Sequence, residues 1–144
     1  GKADWKLVKK LKENVDIPVF VNGDIVSIET AVQALEESSA DGVAIGRGML
    51  GDPTLIKRIG HYLKTGEKLP PPLIEERIAL LKYHIDEEIK LRGENVGIKF
   101  MRKFYPYYLS GFKNAKVLRT QLVLEEDYDK IIQTLENLTS AQVH

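Results

Sequence analysis

Two glycine-containing polar triplets are the first residues with chemistry to offer. Asn22-Gly23-Asp24 follows the apolar run IPVFV at 17–21, and Gly46-Arg47-Gly48 follows the apolar run GVAI at 42–45. Glycine lets backbone N–H groups approach a phosphate closely, and an arginine adds a bidentate contact. Each triplet alone is also what a tight turn requires. Together, at the ends of neighbouring strands, they point to one shared phosphate site.

Other chemistry is less supported. Asp24 and Asp41 could form a carboxylate pair, but Asp41 precedes its strand and is expected at the opposite end of the sheet. His61, His84 and His144 lack metal-ligand spacing and are expected on helix surfaces, so no metal site is expected. The chain has no cysteine, which excludes disulfides, thiolate metal sites and a cysteine nucleophile within these residues. No residue is assigned a catalytic role.

A second cluster is electrostatic. Between Lys90 and Arg119 the basic residues are Lys90, Arg92, Lys99, Arg102, Lys103, Lys113, Lys116 and Arg119, against the single acid Glu94, so eight minus one gives a local balance of +7. Acids on both flanks compensate, and the whole chain has formal net charge zero. Cations neutralise phosphates, and the interleaved Tyr105, Tyr107 and Tyr108 could stack on exposed bases, which is what RNA binding requires. Composition leaves equally open that the tyrosines pack a helical core and the charges solvate it.

The elements that must position these residues follow from periodicity. Asp4 is a candidate N-cap for a helix carrying Trp5, Leu7, Val8 and Leu11 on one face and Lys6, Lys9, Lys10 and Lys12 on the solvated one. Residues 17–21 read as a strand apolar on both faces, suited to a parallel sheet. Ser27 is expected to cap a helix through Ile28, Ala31, Val32 and Leu35, followed by the strand at 42–45, so that the helix makes one right-handed crossover. Asp52-Pro53 is expected to open a third helix that ends at Thr65-Gly66. The segment EKLPPP at 67–72 is a break and a domain boundary. Beyond it helices are expected over 73–92, over 95–110 with an interruption at Pro106, over 113–122, and over 127–138. The fold class is therefore α/β plus all-α, with domains at 1–66 and 67–144. Two parallel strands do not make a stable sheet unaided, so a longer protein or a partner is expected to complete it, and self-association or domain swapping through the exposed strand edges is a possible outcome. No apolar run reaches the roughly 18 residues needed to span a bilayer, and the first residues lack the apolar stretch of a signal peptide. No membrane partner and a cytoplasmic setting are expected.

Taken together, NGDI after PVFV, then ADGVAIGRGMLGDP, then the proline break, then IKFMRKFYPYYLSGF and VLRTQL, resemble the C-terminal part of the tRNA-dihydrouridine synthases, the bacterial branch most closely. The likeness runs from ADW near the start to about Leu138. It implies that residues 1–66 are the last two strand–helix units of an FMN-binding (β/α)8 TIM barrel and that residues 67–144 are a helical tRNA-binding domain. It implies an enzyme using FMN, reduced by NADPH, to reduce the C5–C6 bond of uridine in tRNA. It assigns the flavin phosphate to Asn22, Gly23, Asp24, Gly46 and Arg47, and the MRK motif to Met101, Arg102 and Lys103. Phe104 stands where the family usually has histidine, and Tyr107 where tryptophan is frequent. The RNA-contacting set is then Lys99, Arg102, Lys103, Lys113, Lys116 and Arg119. The same likeness implies that the catalytic cysteine belongs to an earlier barrel strand, so these 144 residues alone are expected to be inactive. Two other readings fit part of the chain: a stand-alone RNA-binding module made of 67–144, and another phosphate-gripping barrel enzyme, which gives the basic helices no role.

Overall fold

The structure, a computed structural model, describes residues 2–140. The chain divides into two compact units, with Pro71 the last residue of the first and Pro72 the first of the second.

In the first unit, α1 (Trp5–Lys12) begins where the Asp4 carboxylate accepts the Lys6 N–H. Of the four apolar residues expected to face inward, Trp5 is buried and Val8 half-buried, while Leu7 and Leu11 are 60% and 55% exposed. α1 packs on α2 (Ile28–Ser38), and that contact takes up one edge of the apolar stripe only. Ser27 caps α2 through a reciprocal box with Thr30: the Thr30 N–H donates to Ser27 Oγ, and the Ser27 N–H donates to Thr30 Oγ1.

β1 (Phe20–Asn22) and β2 (Gly42–Ala44) pair in parallel, with Phe20 opposite Gly42, Val21 opposite Val43 and Asn22 opposite Ala44. The strand expected over 17–21 is thus shorter and starts later. Its double-sided burial is also corrected. Val19 and Val21 are buried among the helices, whereas Ile17 and Phe20 are 66% and 63% exposed. Successive strand side chains alternate faces, so helices covering one face leave the other open. Below the sheet, the Val19 N–H donates to Asp41 Oδ2 at 2.7 Å, and the Asp41 N–H donates to the Val19 carbonyl at 2.8 Å.

A 3-10 turn, Arg47–Met49, follows β2, and α3 (Leu55–Thr65) begins only at Leu55. Asp52 is not the N-cap residue expected. Its carboxylate instead accepts Thr54 Oγ1 at 2.5 Å and pairs with Arg58. Gly66 ends α3 at φ +75°, where its N–H reaches the Tyr62 carbonyl.

The second unit holds α4 (Ile74–Arg92), α5 (Glu94–Met101), α6 (Tyr105–Tyr108), α7 (Ala115–Leu124) and α8 (Tyr128–Ser140). The helix expected over 95–110 is divided into α5 and α6. Pro106 lies in the first turn of α6, where its missing N–H costs nothing. α5 folds back on α4 closely: a Cβ on Gly97 would lie 2.9 Å from the backbone of Ile89. The core is one cluster of Ile78, Leu81, Ile85, Ile98, Met101, Tyr105, Leu109, Leu122, Ile131 and Leu135. No described helix is long and apolar enough to cross a membrane.

Candidate functional site

The register Asn22 opposite Ala44 ends both strands at one edge, so the two triplets leave the sheet side by side. Gly23, at φ +109°, and Asp24, at φ +54°, make the sharp turn after β1. That turn is held from the N-terminal side. Trp5 Nε1–H donates to the Gly23 carbonyl at 3.0 Å, and the Ala3 N–H donates to Asp24 Oδ2 at 2.7 Å. Gly23 itself lies against Ala3, whose Cβ would be 2.7 Å from any side chain there.

The second triplet is locked to the first. Gly48 sits so close to Ile25 and Val26 that a Cβ would overlap the Ile25 carbonyl oxygen and come within 3.1 Å of Val26 Cα. Gly46 faces open space, with nothing within 4 Å of a Cβ there. Asn22, Gly46 and Arg47 are exposed, and the Arg47 side chain makes no hydrogen bond or ion pair among the described residues. The first amides of a helical turn have no partner within it. The edge therefore presents an exposed, unengaged cation, polar backbone and a glycine without steric cover, on a loop pinned by its neighbour. This arrangement fits a phosphate group. The Asp24 carboxylate does not, because it would repel one; its bond to Ala3 makes it a brace for the loop.

Asp41 is at the far end of the sheet, paired with Lys12 at 2.8 Å, so no catalytic carboxylate pair forms with Asp24. The Lys12 hydrogen bond, then the Val19 N–H, hold its carboxyl below the usual aspartate range. Trp5 and Ala3 as supports of the Gly23 turn have no local signal in the sequence. Their bonds span 18 and 21 residues, and only the pairing of an apolar indole with a nearby glycine turn hints at them.

In the second unit the basic residues are not one open patch. Lys90 pairs with Glu87, and Arg92 pairs with Glu88. Lys99 and Arg102 both pair with Glu126. Lys103 Nζ lies 3.6 Å from the Phe100 ring centroid and 5.0 Å from that of Phe104, and the Arg92 guanidinium is 3.9 Å from the same Phe100 ring. Arg119 Nε–H donates to the Ala115 carbonyl at 3.1 Å. Lys113 and Lys116 are exposed and make no ion pair among the described residues.

The tyrosines divide. Tyr105 and Tyr108 are buried in the core, and only Tyr107 is exposed, so base stacking by the first two is corrected to packing. Burial pushes the Tyr105 hydroxyl up to about 12, opposed weakly by nearby Arg102. His84 is also corrected. It is half-buried rather than on the surface, with Nδ1 3.1 Å from the Tyr108 hydroxyl and its ring 4.8 Å from that of Phe104. His61 lies 3.1 Å from Glu67, and His144 is outside the described residues. Among the described residues no group of acids and histidines could hold a metal ion.

Known proteins match along nearly the whole chain. The dihydrouridine synthase family model matches residues 1–143. A probable tRNA-dihydrouridine synthase of Rickettsia bellii is 44% identical over 137 residues, covering 92% of this chain and 42% of the relative. A probable tRNA-dihydrouridine synthase 1 of Synechocystis is 40% identical over 122 residues, 85% of this chain and 34% of the relative. The tRNA-dihydrouridine synthase B of Pseudomonas aeruginosa is 36% identical over 129 residues, 90% of this chain and 39% of the relative. The chain thus spans about two fifths of the length of such relatives. A family match over residues 1–143, on a fold whose two glycine turns share one sheet edge, leaves one conclusion: the chain belongs to the dihydrouridine synthase family.

Proposed function

We propose that this chain is the C-terminal part of a tRNA-dihydrouridine synthase, carrying the flavin-phosphate grip and the tRNA-binding helices. In this reading residues 1–66 are the last two strand–helix units of a (β/α)8 barrel, and residues 67–144 are the RNA-binding domain. The observation that carries the first part is the flush ending of β1 and β2, with Gly48 packed onto Ile25 and Arg47 unengaged.

Backbone amides of Asn22, Gly23 and Asp24 and of Gly46 and Arg47 would hold the FMN phosphate, and the Arg47 guanidinium would add charge. When bound there and reduced by NADPH, FMN would be the source of hydride for the uridine C5–C6 bond. The residues present here bind and orient: Trp5 and Ala3 fix the first turn, and Ile25 fixes the second. In this reading the cysteine that protonates uridine C5 belongs to an earlier barrel strand, and this chain has no cysteine, so the 144 residues alone are inactive. Retention of flavin by this chain alone is poor, since a phosphate grip holds only one end of the cofactor.

For RNA, Lys99, Arg102, Lys103, Lys113, Lys116 and Arg119 supply the phosphate contacts. Support comes from the relatives' tRNA substrate and from the two open lysines on and beside α7. The test has two arms. Arg47→Ala in the longer protein should lower FMN occupancy by about tenfold or more, as expected for loss of a charge-assisted phosphate contact. Neutralising Lys99, Arg102 and Lys103 together should weaken binding of a tRNA transcript and flatten its salt dependence. Unchanged occupancy defeats the first assignment, and unchanged affinity the second.

A further inference from the structure

Glu126 lies in the loop between α7 and α8, outside the basic stretch. Its Oε1 atom receives Arg102 Nη2 at 3.1 Å and has Lys99 Nζ at 3.7 Å. Two cations from α5 and the residue after it therefore converge on one oxygen, 24 residues away from Arg102 in sequence. Carboxylate and phosphate oxygens call on the same donors with the same geometry. The position of Glu126 Oε1 is thus where the fold gathers these cations around an anion.

The Glu126 carboxylate has no other duty among the described residues. The loop backbone is held by its neighbours: Glu125 Oε1 accepts the N–H groups of Glu126 and Asp127 at 2.9 and 3.0 Å. Asp127 Oδ1 accepts the Lys130 N–H at 3.1 Å and so caps α8. The three side chains are 50%, 30% and 60% exposed for Lys99, Arg102 and Glu126. Pairs so exposed are weak and screened by salt. A polyanion with several other contacts can displace such a pair, whereas a single small anion gains too little.

We infer that Glu126 is an internal stand-in for a tRNA phosphate: it keeps Lys99 and Arg102 converged in the free protein and competes with RNA for them, setting how selective the basic face is for a polyanion. This rests on the reading of residues 67–144 as the RNA-binding part.

The test is a double-mutant cycle on the 144-residue chain with an unmodified tRNA transcript as ligand. Glu126→Gln should tighten binding roughly two- to fivefold at low salt, the scale of an exposed ion pair, with an unchanged thermal midpoint. Glu75→Gln makes the same change in net charge at the opposite end of α4, about 25 Å of helix from Arg92, and should leave affinity nearly unaltered. In a Lys99→Gln/Arg102→Gln background the gain from Glu126→Gln should vanish. A gain that persists there, or that Glu75→Gln matches, reduces Glu126 to bulk charge and overturns the inference. No gain at all, while Lys99→Gln/Arg102→Gln still weakens binding, overturns it and leaves the RNA-binding reading standing. If the double variant binds as tightly as the parent, both fall.

Discussion

Replacing Trp5 by Phe keeps most of the buried surface but removes the N–H that the Gly23 carbonyl accepts. A lost hydrogen bond of this kind costs about 1 kcal/mol, so the denaturation midpoint should fall modestly. Flavin retention by the longer protein should fall further, because the freed turn is half of the proposed grip. Gly48→Ala is expected to be harsher, since its new methyl meets backbone rather than a flexible side chain. Overpacking costs about 1–3 kcal/mol, read as a loss of thermal stability. Asp41 gives a pH prediction. Its carboxyl is held below the ordinary value in the folded state by Lys12 and the Val19 N–H. Its stabilising contribution is therefore complete above the unfolded aspartate value and is lost as pH falls through the depressed folded one. Asp41→Asn should lower stability at neutral pH and make the acid limb of a pH–stability curve shallower. Equal slopes for the two proteins would count against this.

At the scale of elements, helices were legible because their signals are local. Asp4 and Ser27 mark helix starts within three residues of the groups they cap, and Ile78, Leu81 and Ile85 keep the period of α4. The failures come from contacts the local pattern cannot carry. Phe20 is apolar like Val21, yet only neighbours distant in sequence decide which face is covered. Tyr105 and Tyr108 sit within a cationic stretch, and only their packing in one cluster with Leu122, Ile131 and Leu135, distant in sequence, places them in the core. The candidate grip was legible as two glycine turns; its supports, Trp5 and Ala3, were not. The α4–α5 pair offers a test of packing against propensity. Alanine is a better helix former than glycine by about 1 kcal/mol, which favours Gly97→Ala. The close backbone of Ile89 opposes it, and overpacking of about 1–3 kcal/mol should win. Net destabilisation in chemical denaturation is the expected result, and stabilisation would mean α5 can move off α4 freely.

For the whole molecule, the first unit exposes Phe20 on a sheet of two short strands, Ile17 just before it, and Leu7, Leu11 and Ile56 on its helices. Such a surface is an adhesion hazard in any chain that leaves it bare. The 144-residue chain should show concentration-dependent mass in sedimentation, and Phe20→Lys should reduce it. A concentration-independent monomer would mean these side chains find cover in solution. In the longer protein of the proposed reading, the same faces would be covered by the earlier barrel strands, so Phe20→Lys there should instead destabilise.

The reciprocal bonds between Val19 and Asp41 have a further consequence, for alignment. Each strand has three residues, so few ladder bonds resist slippage. A slip of one residue would turn Val21 outward and shift one loop against the other by about 3.3 Å. That distance exceeds what two loops could absorb while sharing one phosphate, as the proposed grip requires. The pair at the base of the sheet therefore acts as the gauge that sets how level its two upper loops stand.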